Sequence, residues 1–165
     1  MLKPYLPRKL GKALRRRGVV VLGEVKYNGF LIMNNFLLYR SMKISANSLP
    51  MLGTTARTLG IREGIDILVI SGKVKPNTGG LSVSPPPPYN LPVHRRPAAF
   101  GGTGKDPVWE INVNCLSAFQ LQYRPDPHQP NKHGFIEPIT EMPIEEYQQA
   151  IVATLHEWTL IGHQK

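Results

Sequence analysis

The chain has 165 residues, 41% of them hydrophobic and 19% charged, with a formal net charge of +9 and a single cysteine. That length holds one domain, or one domain with a short appendage, and the composition excludes an intrinsically disordered chain. A lone thiol excludes an internal disulfide or a cysteine metal cluster, and no apolar run approaches the ~20 residues of a membrane-spanning helix.

The positive charge is concentrated at the start. Lys3, Arg8, Lys9, Lys12 and the run Arg15-Arg16-Arg17 all precede the first acidic residue, Glu24. Leu6, Leu10, Ala13 and Leu14 have helical spacing, which predicts an amphipathic basic segment over residues 1–18. Such a block can bind nucleic acid or anionic lipid, serve as a mitochondrial presequence, or stand as a solvated helix with no partner.

Residues 19–165 read as one domain. Val19-Val20-Val21-Leu22 predicts a strand, and Asn28-Gly29 a hairpin turn leading to Phe30–Met33. A further apolar run, Phe36 to Arg40, predicts a strand that Arg40 closes. Ser48 is placed to cap a short helix, with Pro50 in its first turn and Gly60 just past its end. Ile65–Ile70 reads as a buried strand.

The next stretch, Lys75-Pro76-Asn77-Thr78-Gly79-Gly80-Leu81-Ser82-Val83-Ser84, turns and re-enters an extended run. Asn77 and the two glycines tolerate positive φ, and Gly80 would let a ligand approach the main chain closely. Ser82 and Ser84 fall on one face of the strand and Val83 on the other. This predicts either the floor of a nucleotide pocket or an ordinary turn entering a strand.

From Pro85 to Pro107 there is no helical or strand period. Four consecutive prolines favour a stiff polyproline segment, and so long a loop is commonly a lid or disordered. The tract could equally dock a partner's groove. His94, Arg95 and Arg96 lie within it, able to meet phosphates or to remain exposed.

Val108–Val113 alternates as a strand, with Trp109, Ile111 and Val113 on one face. Cys115, beside Val113 and Leu116, reads as a buried structural thiol. Phe119–Tyr123 alternates likewise, and His133–Pro138 is a last short strand that Pro138 ends at an edge or where the chain leaves the sheet. Pro143, Glu145 and Glu146 open a C-terminal helix whose stripe is Ile144, Tyr147, Ile151, Leu155 and Trp158. Without βαβ alternation or an internal repeat, the pattern is an α+β domain.

Leu38-Tyr39-Arg40 ending an early strand, Pro76-Asn77-Thr78-Gly79-Gly80-Leu81-Ser82-Val83, and His133-Gly134-Phe135-Ile136-Glu137-Pro138 together resemble one known group. Their order and spacing, with Met142-Pro143 before a helix ending near Trp158, are similar to the type VI secretion effector toxins with an ADP-ribosyltransferase-like fold and their fungal relatives. The resemblance spans roughly Phe36 to Trp158. It implies a split β-sandwich with a C-terminal helix, clasping NAD as substrate without a metal. It implies that Arg40, with Tyr39, Gly79, Gly80 and Ser82, holds the dinucleotide. Arg40, Ser82, His133 and Glu137 are then the catalytic set, with Glu141 the second choice for the carboxylate.

Two features depart from the group: Leu81 stands where a Thr commonly precedes the Ser, and Glu137 lies directly before Pro138 rather than in a Glu-x-Glu loop. Transfer to an unknown macromolecular acceptor and plain NAD hydrolysis therefore both stay open. The resemblance also implies action in a target cell's cytoplasm, delivery by a non-classical route, and a cognate immunity protein. The alternative from composition is a basic nucleic-acid-binding protein or RNA-targeting toxin, using the basic start and aromatics such as Tyr89 and Tyr123.

Overall fold

A computed structural model describes Lys26–Tyr27, Phe30–Leu31 and residues 35–162. The basic segment of residues 1–18 and the strand expected at Val19–Leu22 lie outside the described residues. Strand β1 (Lys26–Tyr27) pairs antiparallel with β2 (Phe30–Leu31) around the Asn28-Gly29 turn signal. These residues belong to a unit of their own, and the remainder of the chain, from Asn35, forms a second.

The second unit is α+β. One three-stranded antiparallel sheet has β6 (Val108–Asn112) at its centre, between β3 (Leu37–Ser41) and β10 (Thr159–Gly162). The other has β8 (Gly134–Pro138) at its centre, between β5 (Leu81–Val83) and β7 (Leu121–Pro125). A short pair joins β4 (Lys73–Val74) to β9 (Met142–Pro143). The two larger sheets meet where Tyr39 and Ser84 exchange backbone hydrogen bonds, at 2.8 and 2.9 Å. Pro138 is the last residue of β8, and the chain leaves the sheet directly after it.

Helix α1 (Ile144–Ala153) starts immediately after Pro143, with Glu145 and Glu146 in its first turn, as the dipole favours. Its buried stripe is Ile144, Tyr147 and Ile151. The stripe packs into one core with Leu38, Trp109, Ile111, Leu121, Ile136 and Trp158. The indole N–H of Trp109 donates to the Met42 carbonyl at 2.9 Å, so the largest core side chain buries no unpaired donor. No helix of the described residues is long and apolar enough to cross a membrane.

Two expected elements do not form. No helix follows Ser48. Its φ is +58°, and Pro50 instead bridges Ile44, while Met51 N–H donates to Lys43 O at 2.8 Å. Pairing with a neighbouring segment has outcompeted the local cap. Nor is Ile65–Ile70 a buried strand: only Ile67 is buried, and Ile65 is 71% exposed. The Asp66 carboxylate accepts the Arg62 backbone N–H at 2.8 Å and closes a turn there, which outweighs the apolar run.

Strand β10 has no counterpart in the periodicity of the sequence, and Phe119 belongs to a 3-10 helix, Val113–Phe119, rather than to β7. Cys115 sits in that 3-10 helix, half-buried, with its thiol donating to Asn112 O at 3.0 Å. Burial pushes its pKa up to about 11, so the thiol is protonated at neutral pH, and it is half-buried where a buried thiol was expected.

Candidate functional site

Alternation along β3 puts Arg40 on the same face as Leu38, which is fully buried in the core, and Tyr39 on the opposite face. Arg40 is therefore a cation carried inward, and it is only 7% exposed. Its guanidinium donates to three carbonyls: Ser82 O at 2.6 Å from Nη1, then Thr58 O at 3.3 Å and Ala56 O at 3.4 Å from Nη2. Nε is buried with no partner. Among the described residues Arg40 forms no ion pair with a carboxylate. Burial, as the largest cause, pushes its pKa down to about 10, and Asp66 opposes that shift more weakly. The group stays charged at neutral pH, and the fold bears the cost of its desolvation.

Arg40, Ser82, Ser84, Arg95 and His133 line one cavity of about 220 Å³. The convergence of Arg40 and Ser82 on a single cleft follows from the bond between the Arg40 guanidinium and the Ser82 carbonyl, which draws β3 and β5 together. The Ser82 hydroxyl has no hydrogen-bond partner among the described residues. Two further cavities adjoin. One, of about 350 Å³, shares Ser41, Ala56 and Arg95, and adds Arg57, His94 and Lys105. The other, of about 600 Å³, shares Ser84, Leu91, Pro92 and His133, and adds Arg96 and Lys132. Only Asp106 and Asp126 bring negative charge to these walls, and Asp106 is already paired with Arg57. The long proline-rich loop forms much of all three walls, so it is ordered against the cleft.

The other sequence-predicted residues fall elsewhere. Glu137 is 0% exposed and lines none of the four cavities described. Its carboxylate accepts from Arg124 Nε at 2.8 Å, Asn77 N at 2.9 Å and Gln122 Nε2 at 3.1 Å. Ser82 pairs with Phe135, two residues from Glu137, so register puts Ser82 and Glu137 on one face of their sheet. Glu141 is exposed, pairs with Lys73 at 3.2 Å, and lines a separate cavity of about 280 Å³ with Leu68 and Ile70. Tyr39 packs beside Leu91 and Val108 in a smaller cluster, outside the cleft lining.

Gly79 and Gly80 have φ of +125° and +157°, and neither lines a described cavity. A Cβ on Gly79 would lie 2.2 Å from Asp66 O, and one on Gly80 2.4 Å from Ile136 O. The approach these glycines permit is thus made by the chain's own backbone, where a ligand was expected. Gly80 N–H donates to Asp66 O at 2.7 Å, which completes the packing.

Sequence reasoning missed Asp126, whose carboxylate meets Nδ1 of His133 at 2.8 Å. The signal was present in the strands on either side, since Asp126 and His133 flank the loop between them. Among the described residues no three His, Cys, Asp or Glu side chains gather as a metal site. No family model, curated protein or solved structure matches the chain.

Proposed function

We propose that this chain is an NAD-dependent ADP-ribosyltransferase-like toxin domain acting inside a target cell, with the dinucleotide lying across Arg40 and Ser82. One observation carries the reading: Arg40 is a buried cation at the wall of a cleft, without a carboxylate partner and with one unpaired N–H. Arg57, Arg62 and Arg124 each have an acidic partner, whereas Arg40 has only backbone carbonyls. An unneutralised guanidinium beside a cavity suits an anionic ligand, and a pyrophosphate supplies the missing charge. The two three-stranded sheets, joined between β3 and β5, are compatible with a split β-sandwich around such a ligand.

A dinucleotide needs more room than the central cavity, since ligand pockets commonly hold about 300–1,000 Å³. It would extend into the adjoining cationic cavity that Arg57, His94 and Lys105 line. Ser82, with its hydroxyl free, would bond the nicotinamide ribose. Cleavage of the nicotinamide–ribose bond develops positive charge on the ribose. A carboxylate fixed in advance would stabilise such charge; Glu137, fully buried and held by Arg124, Gln122 and Asn77, faces its own donors and lies outside the cleft lining.

The test is nicotinamide release from NAD, together with the rise in thermal midpoint on adding NAD, for wild type, Arg40→Met and Ser82→Ala. The expectation is that wild type is stabilised by NAD and turns it over, that Arg40→Met shows neither response, and that Ser82→Ala retains the fold but cleaves at least ~10-fold more slowly. Wild type that neither binds nor cleaves NAD would reject the reading.

A second reading, RNA binding along the same groove, rests on Arg57, Arg95, Lys105 and Lys132. It requires an affinity for mixed RNA that weakens steeply with salt.

A further inference from the structure

The hairpin between β7 and β8 carries a pair of side chains: His133, which the resemblance placed in the catalytic set without a stated role, and Asp126, which it did not include. Pro125 and Gly134 are the outermost paired residues of that ladder. The next residues outward, Asp126 and His133, are therefore cross-strand neighbours at the neck of the loop. The Asp126 backbone N–H donates to His133 O at 3.0 Å, and the side chains meet at 2.8 Å, ring Nδ1 against Asp126 Oδ2. The second carboxylate oxygen accepts the His128 backbone N–H at 2.9 Å, which stops the carboxylate from rotating away. Phe135 holds the ring edge-on, with centroids 4.7 Å apart at 81°.

The bond from His128 N–H, and after it the bond from His133, keep the Asp126 carboxyl below its ordinary range, so it is an anion at neutral pH. An ionised carboxylate on Nδ1 places the ring proton there and leaves Nε2 with its lone pair. His133 lines both the central cavity, with Arg40 and Ser82, and the larger cavity beside it. It therefore stands between the site assigned to the nucleotide and a separate way in.

We infer that Asp126 and His133 form a general-base dyad for the nucleophile that attacks NAD, a role that rests on the NAD-cleaving reading of the cleft. An O–H nucleophile enters through the larger cavity, and its oxygen bonds to the ribose carbon. The glycosidic C–N bond breaks, and its electron pair goes to the ring nitrogen, which leaves in neutral nicotinamide. The proton of the nucleophile passes to Nε2 of His133, and the resulting imidazolium is held by Asp126. Water yields ADP-ribose and an alcohol yields the corresponding glycoside, with no further reactant. His133 is then a catalytic residue and Asp126 a positioning residue. Arg40 and Arg95 face the ring's cavity on one side, and Arg96 and Lys132 on the other, with His128 behind the carboxylate. All of these are cations or neutral, so Asp126 alone favours the imidazolium.

The experiment measures kcat and KM for NAD against pH, by nicotinamide release, on the full chain as wild type, His133→Gln and Asp126→Asn. Methanol serves as a model alcohol, so that ADP-ribose and its methyl glycoside are counted separately. Wild type is expected to lose rate towards acid pH and to form both products. His133→Gln is expected to lower kcat on the order of 100-fold and abolish the acid limb, with KM for NAD little changed. Asp126→Asn is expected to lower kcat less and displace the acid limb to lower pH, because the carboxylate that stabilises the imidazolium has gone. If His133→Gln does not fold, the displacement in Asp126→Asn decides alone. Wild type that cleaves NAD, with variants that keep its acid limb, overturns the dyad and leaves the cleft reading standing. Wild type that does not cleave NAD overturns both.

Discussion

Arg40 and Glu137 are both charged and both buried, yet their surroundings differ in kind. Glu137 has a cation, Arg124, and two further donors, whereas Arg40 has only carbonyls and an unpaired N–H. Removing one partner of a buried ion pair costs about 3–5 kcal/mol, because the other charge is stranded. Removing an unpaired buried charge relieves desolvation while losing hydrogen bonds, and the two effects offset. Urea unfolding should therefore show Glu137→Ala destabilised by about 3–5 kcal/mol and Arg40→Met changed by less than about 2 kcal/mol. An equal loss in both would make Arg40 a structural clamp. Arg40 was legible as a candidate from its place at the end of an apolar strand. That it lacks a carboxylate was not, because partners such as Ser82 and Thr58 are distant in the chain.

At the scale of elements, one side chain of α1 bolts the second sheet together. The Tyr147 hydroxyl donates to Ile136 O on β8 at 2.7 Å and accepts from Leu81 N on β5 at 3.2 Å. Ser82 follows Leu81, so the helix sets the position of the cleft wall from behind. Tyr147→Phe leaves a buried N–H unsatisfied and should cost about 1–3 kcal/mol in chemical unfolding. On the NAD-cleaving reading proposed for the cleft, the KM for NAD should rise as β5 loosens. The helix itself, the strands β6 and β8 and the turn at Asn77 were readable, since each rests on local period, caps or tolerance of positive φ. The segments from Ser48 and from Ile65 were misread. In both, the pairing of neighbouring backbone or a turn closed by Asp66 outweighs propensity.

For the whole molecule, the net charge of +9 is expressed in part along a groove of three adjoining cavities, with Arg40 at its middle. Beneath it runs one principal core that contains both tryptophans, Trp109 from β6 and Trp158 beyond α1. A shared core should unfold as a unit. Trp109→Phe and Trp158→Phe, each followed by the fluorescence of the remaining indole, should give denaturation curves with the same slope, each indole reporting loss of the same core. A slope of the remaining signal well below that of far-UV circular dichroism would show that the core divides. The sequence by itself determined the α+β class, the C-terminal helix and the basic character, because these follow from local period and from sums over the chain. Only the tertiary structure decided that Arg40 and Ser82 share a cleft, that the glycine pair is filled by backbone, and that Glu137 is held by Arg124. Each of those depends on contacts between residues far apart in the chain, whose geometry is set by which surfaces pack rather than by any local preference.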